Sequence, residues 1–207
     1  MNAEAPAGGL AGVLKSLNAD RAYGLALLAA VLLLLAPELD GPAAREWFRY
    51  DRAGLRAGEG WRLLSAHFVH LDLEHAVLNS LGVVLMWALF ARDYRPGRWL
   101  TIYLGSALTV GAGLWFFSPE IEWYVGASGA LHGVMTAGTL AHLRRGDLDG
   151  WILAAFIVVK LTYEQYVGAL PFEEQSLTVV DAHLYGAIGG VVLALIPGSR
   201  GRTRART

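Results

Sequence analysis

The chain has 207 residues, 55% of them hydrophobic and only 17% charged, with a formal net charge of −1 and a mean hydropathy of +0.40. A soluble domain of this size needs more charge to cover its surface, so the composition describes a membrane protein. The absence of cysteine excludes disulfides, thiolate zinc sites and a cysteine nucleophile.

Residues 1–21 are small and weakly polar, with Lys15 and Arg21 ahead of an apolar run at 22–37. At about 1.5 Å per residue that run barely spans a bilayer. A positive residue before a short apolar run also fits a signal peptide, but no clean A-x-A cleavage site follows, so the run reads as a first helix. Residues 38–66 are the longest non-apolar segment. They interleave Arg45, Arg49, Arg52, Arg56 and Arg62 with Trp47, Phe48, Tyr50 and Trp61, a mixture suited to the headgroup region. Set between membrane spans, these arginines do not read as a nucleic-acid surface.

Five further apolar runs follow, at about 73–91, 99–117, 128–143, 151–170 and 181–196, which predicts an all-α membrane protein with six transmembrane helices. Lys15 and Arg21, then Arg92, Arg95 and Arg98, then Arg144 and Arg145, then Arg200, Arg202, Arg204 and Arg206 fall on one side. Two of the three opposite loops, those with Glu120 and Glu122 and with Glu173 and Glu174, carry no Lys or Arg, and the arginine-rich first loop is the exception, accommodated where it lies in the interface. The positive-inside rule then makes both termini cytoplasmic. The chain divides into an N-terminal segment (1–21), one membrane domain (22–196) and a basic cytoplasmic tail (197–207).

Ionisable groups inside spans are costly and mark candidate sites. In Tyr124-Val-Gly-Ala-Ser128-Gly-Ala-Leu-His132-Gly133 a serine stands between glycines at the start of the fourth helix. The N–H groups of that helix start can stabilise a developing negative charge. The plainer reading is an N-cap with glycines for packing. On the second helix His75 and Asn79 are i, i+4 and share a face, either as donors into the bundle or as helix glue. The sixth helix opens Val180-Asp-Ala-His183-Leu-Tyr-Gly186, with Gly190 beyond. Pressing Gly186 and Gly190 against Gly129 and Gly133 brings His183 beside Ser128, the geometry of a base-activated serine. Asp181 points elsewhere on its helix, so no third acid is evident and a Ser/His dyad is expected. Lys160 and Glu164 form an i, i+4 pair inside the fifth helix. They read as an internal ion pair that joins the fifth helix to its neighbours.

Together these motifs resemble the rhomboid family of intramembrane serine proteases across about 22–196. The resemblance rests on Glu59-Gly60-Trp61-Arg62, on His70, His75 and Asn79, on Gly126-Ala127-Ser128-Gly129, and on His183 with Gly186 and Gly190. It implies a rhomboid-like six-helix bundle, with Ser128 as nucleophile and His183 as general base. His75, Asn79 and the Ser128 N–H would form the oxyanion hole, and His70 would support the site's hydrogen bonds. Where many members place a tyrosine to stack on the catalytic histidine, this chain has His132. That feature, with Lys160-Leu-Thr-Tyr-Glu164, V-D-A-H-L-Y-G and the compact length, resembles the rhombosortase branch, associated with removal of C-terminal Gly-Gly sorting tails. The resemblance implies membrane-anchored protein substrates cut near the outer face of the inner (plasma) membrane, no cofactor, no metal and no nucleic-acid partner. It also gives Lys160 and Glu164 a second reading, as a substrate-binding pair that meets the bare backbone of a small-residue cleavage site.

A generic rhomboid protease of other single-span substrates is the first alternative. A membrane transporter or metal-binding protein is the second, with His67, His70, His75 and Glu74 as ligands, although no H-E-x-x-H pattern is present.

Overall fold

The computed structural model describes residues 13, 15, 18–171 and 178–196. Most of the N-terminal segment, the loop acids Glu173 and Glu174, and the tail with Arg200, Arg202, Arg204 and Arg206 lie outside the described residues.

Among the described residues there are six long helices: α1 (Arg21–Leu35), α5 (Leu73–Phe90), α6 (Pro96–Phe117), α7 (Ser128–Arg145), α8 (Leu148–Val167) and α9 (Val180–Leu195). Between α1 and α5 lie α2 (Pro42–Phe48), β1 (Tyr50–Asp51), α3 (Arg52–Arg56) and α4 (Arg62–Ser65), and β2 (Trp123–Tyr124) precedes α7. Among the described residues, three helical stretches are long and apolar enough to cross a membrane by length and composition: Ala22–Leu39, Leu73–Phe90 and Pro96–Phe117. Leu28, Leu32, Leu81, Leu85, Val158 and Val159 are all exposed on the outside of the bundle. Such an apolar exterior suits lipid as the surrounding solvent.

The serine-bearing α7 packs against α5, α6, α8 and α9. Because it faces protein rather than lipid, its inward positions are small or polar, among them Gly129, Ala130, Gly133, Ala137, Gly138 and Thr139. Its closest approach is to α9, where glycines replace side chains. A Cβ at Gly186 would lie 1.8 Å from the Gly129 carbonyl oxygen, and one at Gly190 would lie 2.1 Å from that of Gly133. No other residue fits at such separations.

The arginine-rich segment, expected as a headgroup-level structure, is a folded platform. Arg52 is only 4% exposed. Its guanidinium donates to the carbonyls of Leu114 (2.6 Å), Ser118 (2.9 Å), Trp115 (3.2 Å) and Ile121 (3.3 Å). These include the orphan acceptors at the end of α6, so the cation also complements the helix dipole. Arg62 pairs with Glu59 and donates to the carbonyls of Glu46 (3.1 Å) and Arg49 (3.0 Å). The antiparallel pairs Tyr50–Tyr124 and Asp51–Trp123 join the platform to the segment that leads into Ser128. Trp47 and Trp61 project outward, as aromatics do at a membrane interface.

At the opposite end Arg98 donates to the carbonyls of Leu193 and Ile196, and Arg144 donates to that of Ala194, capping the C-terminus of α9. His142 lies between Asp93 (3.0 Å) and Asp149 (2.8 Å), and Arg145 spans Asp93 and Asp147. The arginines that set the sequence-based orientation therefore also close this end of the bundle.

Candidate active site

Ser128 is the first residue of α7, so its N–H has no acceptor one turn back in the helix. The chain reaches it through Gly126, whose φ is +116°. That left-handed backbone favours glycine. A Cβ there would also lie 2.9 Å from the His75 ring. The turn is held by Gly126 N–H donating to Ala66 O (2.9 Å) and by the Tyr124 hydroxyl donating to Gly126 O (2.8 Å). Burial pushes the Tyr124 phenol up to about 12, so the hydroxyl remains a donor. Sequence reasoning did not assign Tyr124 to the site, and its only signal was its place two residues before Gly126.

His183, in the first turn of α9, directs Nε2 to Ser128 Oγ at 3.2 Å. The glycine contacts between α7 and α9 set this separation. The top of α9 is tied to α6 because the Ser118 hydroxyl donates to Asp181 (2.6 Å) and lies 2.9 Å from the Tyr185 hydroxyl. Asp181 is thus engaged away from His183, as its place on the helix implied.

His132 lies one turn into α7 from Ser128 and stacks on His183, with ring centroids 4.1 Å apart and planes at 18°. Its Nδ1 is 2.8 Å from the Ser128 carbonyl. An acceptor there makes Nδ1 the protonated nitrogen and fixes the tautomer.

The other nitrogen of His183 has a partner that the sequence did not reveal. Glu164 Oε1 lies 3.0 Å from His183 Nδ1 and also accepts from Lys160 Nζ. The sequence left Lys160 and Glu164 as either an internal ion pair or a substrate-side pair, and the ion pair is present. Lys160 does line the cavity described below, but none of the Glu164 side chain is exposed. It contacts His183 Nδ1 and is not among the side chains that line the cavity. An acid from a neighbouring helix therefore stands where only a dyad was expected.

On the far side of Ser128, the His75 ring packs against Gly126. Its Nδ1 accepts from Leu71 N–H at 3.4 Å, which leaves Nε2 as a donor. Asn79 donates to the His75 carbonyl at 3.0 Å. His70 meets the His75 ring edge-on at 5.1 Å. His75, Asn79, Ser128 and His183 all line one cavity of about 780 Å³, whose apolar wall includes Leu131 and Met135. A hydroxyl, an imidazole and a set of donors converge on this space.

Three side chains, His132, Glu164 and His183, hold ligand atoms close enough together for a metal ion. The Lys160 ammonium on the same Glu164 oxygen opposes a dication there. The His67, His70, His75 and Glu74 ligand set is not among the clusters that the described residues bring together.

The Rhomboid domain family matches residues 57–200. A putative rhomboid protease of Bacillus subtilis strain 168, YdcA, is 28% identical over 143 residues, covering 69% of this chain and 70% of that protein. The rhomboid protease GluP of the same organism is 36% identical over 80 residues, covering 39% of this chain and 15% of GluP.

Proposed function

Because this chain belongs to the rhomboid family, and is thereby an intramembrane serine protease, we propose that Ser128 is its nucleophile and His183 its general base. The observation that carries the reading is the 3.2 Å approach of His183 Nε2 to Ser128 Oγ at the wall of the cavity. As Oγ attacks the scissile carbonyl carbon, its proton passes to Nε2 and the carbonyl π electrons collect on oxygen. The Ser128 N–H, the Asn79 amide and His75 Nε2–H are the donors that stabilise this oxyanion. Collapse breaks the C–N bond while His183 returns the proton to the leaving amine. Water, deprotonated by the same imidazole, then hydrolyses the Ser128 ester.

The substrates are membrane-anchored proteins, cut near the outer face of the inner membrane with both termini of the enzyme cytoplasmic. The placing of Arg92, Arg95, Arg98, Arg144 and Arg145 at one end of the bundle supports that orientation. We further read the enzyme as a rhombosortase that removes C-terminal Gly-Gly sorting tails, on the strength of His132 and the Lys160–Glu164 segment. A generic single-span substrate is the second reading.

The test is incubation of the purified protein with a panel of single-span substrates, one ending in a Gly-Gly tail, with the cut mapped by mass. Ser128→Ala and His183→Ala are each expected to abolish cleavage, and the double variant to be no worse, because the two groups act as a unit. Cleavage that survives Ser128→Ala would rule out the nucleophile. Equal cleavage of all substrates would rule out the Gly-Gly preference alone.

A further inference from the structure

We propose that Glu164 is the positioning residue for His183, completing a Ser128–His183–Glu164 relay across α7, α9 and α8, with Lys160 as the counter-ion that moderates it. The proposal rests on the Ser128/His183 reading and adds a member to it. The Glu164 carboxylate is fully buried, and burying an anion is costly unless it is paired. Among the described residues its hydrogen bonds go to Lys160, on its own helix, and to His183. The cross-helix end of this charged group therefore falls on the imidazole of the base.

The stacked ring of His132 fixes the plane of His183, but a stack cannot choose which nitrogen carries the proton. A carboxylate can. Glu164 only accepts, so His183 Nδ1 must hold the hydrogen, and the Nε2 lone pair is left for the Ser128 proton. When Nε2 takes that proton, the positive charge on the ring develops 3.0 Å from an anion. The Nδ1 proton stays on nitrogen throughout. Lys160 shares Oε1 with His183, so it withdraws part of the anion's pull and opposes transfer of that proton to the carboxylate.

Two variants should move the acid limb of the pH–rate profile in opposite directions. The charged and titratable groups facing His183 are His132 from α7 and Lys160 and Glu164 from α8, with His75 and His70 across the cavity. On its own helix Asp181 and Tyr185 are turned to Ser118. Removing the anion destabilises the imidazolium, and removing the cation stabilises it.

The experiment uses the full-length purified protein, kcat and KM on a single-span substrate, and the rate at which a fluorophosphonate labels Ser128, each from pH 5 to pH 9. Glu164→Gln should lower kcat and labelling by roughly 10²- to 10⁴-fold with little change in KM, and move the acid limb to lower pH. Lys160→Met should move that limb to higher pH, and Glu164→Asp should recover part of the rate lost in Glu164→Gln. Wild-type kcat and labelling in Glu164→Gln, with Ser128→Ala inactive, would overturn the relay and leave the dyad standing. Loss of melting temperature and activity in step, with the acid limb unmoved in all three variants, would make the pair a strut and overturn it equally. Survival of cleavage in Ser128→Ala would instead remove the reading on which the relay rests.

Discussion

His132 performs two tasks beside the catalytic base. The stack restrains the catalytic ring, and the Nδ1 contact of His132 with the Ser128 carbonyl anchors the stack to the nucleophile's own residue. A tyrosine can supply the first but not that hydrogen bond. His132→Tyr should therefore retain more activity than His132→Ala, which leaves a void beside the base, and both should label more slowly than wild type. Equal labelling by the two variants would remove stacking from the account. Asn79→Ala, with the serine intact, should lower kcat by roughly 10²- to 10³-fold if its amide reaches the oxyanion, and a wild-type rate would reduce it to helix glue. The approach of His183 to Ser128 was legible in the sequence because small-residue spacing on two helices leaves few ways to pack them, whereas the stacking of His132 was expected only through the family resemblance. Glu164 was visible only as a partner for Lys160. Its contact with His183 depends on how α8 is rotated against α9, and no periodicity in either segment encodes that.

At the scale of elements, the register between α7 and α9 is what sets the 3.2 Å approach of base to nucleophile. Gly186→Ala would put a Cβ 1.8 Å from the Gly129 carbonyl oxygen, and main chain cannot yield as a side-chain end can. The helices must part, which costs about 1–3 kcal/mol or more and withdraws His183 from Ser128. Labelling of Ser128 should fall sharply and the melting temperature should drop. Gly97→Ala has open space around the new methyl and should change neither, so a variant Gly186→Ala with normal labelling would refute the register argument. The six helices themselves were readable from apolar runs, but their ends were not. α6 begins at Pro96 rather than at the apolar Trp99, since proline suits a first helical turn. α7 continues through polar Arg144 and Arg145 to the left-handed Gly146. The two-residue strands carry no signal in sequence, because their pairing is fixed by Arg52 and the turn at Gly126 rather than by any alternation of their own.

Over the whole molecule, polar chemistry is gathered at the two ends. The end with Arg98, Arg144 and Arg145 is closed by hydrogen bonds and paired charges, whereas the site end also buries the imidazoles of His67 and His70. His67 and His70, both in the segment before α5, are about 1% exposed. Burial holds His67 down to about 4, and burial together with the nearby His75 ring holds His70 down to about 3, against an ordinary 6.5. Their lowered values set the sign of the effect. As pH falls below about 6.5 the unfolded chain binds protons that the folded chain refuses, so the unfolded state gains and stability falls until about pH 4 for His67 and pH 3 for His70. Above pH 6.5 neither group changes stability. Each contributes a slope of about 1.4 kcal/mol per pH unit inside its window. The measurement is the melting temperature of the detergent-solubilised protein between pH 7.5 and pH 4.5, for wild type and for His67→Gln. Carboxylates that titrate in the same range are common to both, so their effect cancels in the difference. The wild-type curve should fall more steeply below pH 6.5 and run parallel to the variant above it. Curves that stay parallel down to pH 4.5 would show that His67 accepts a proton without unfolding, and that the site end tolerates charge where its packing argues that it does not.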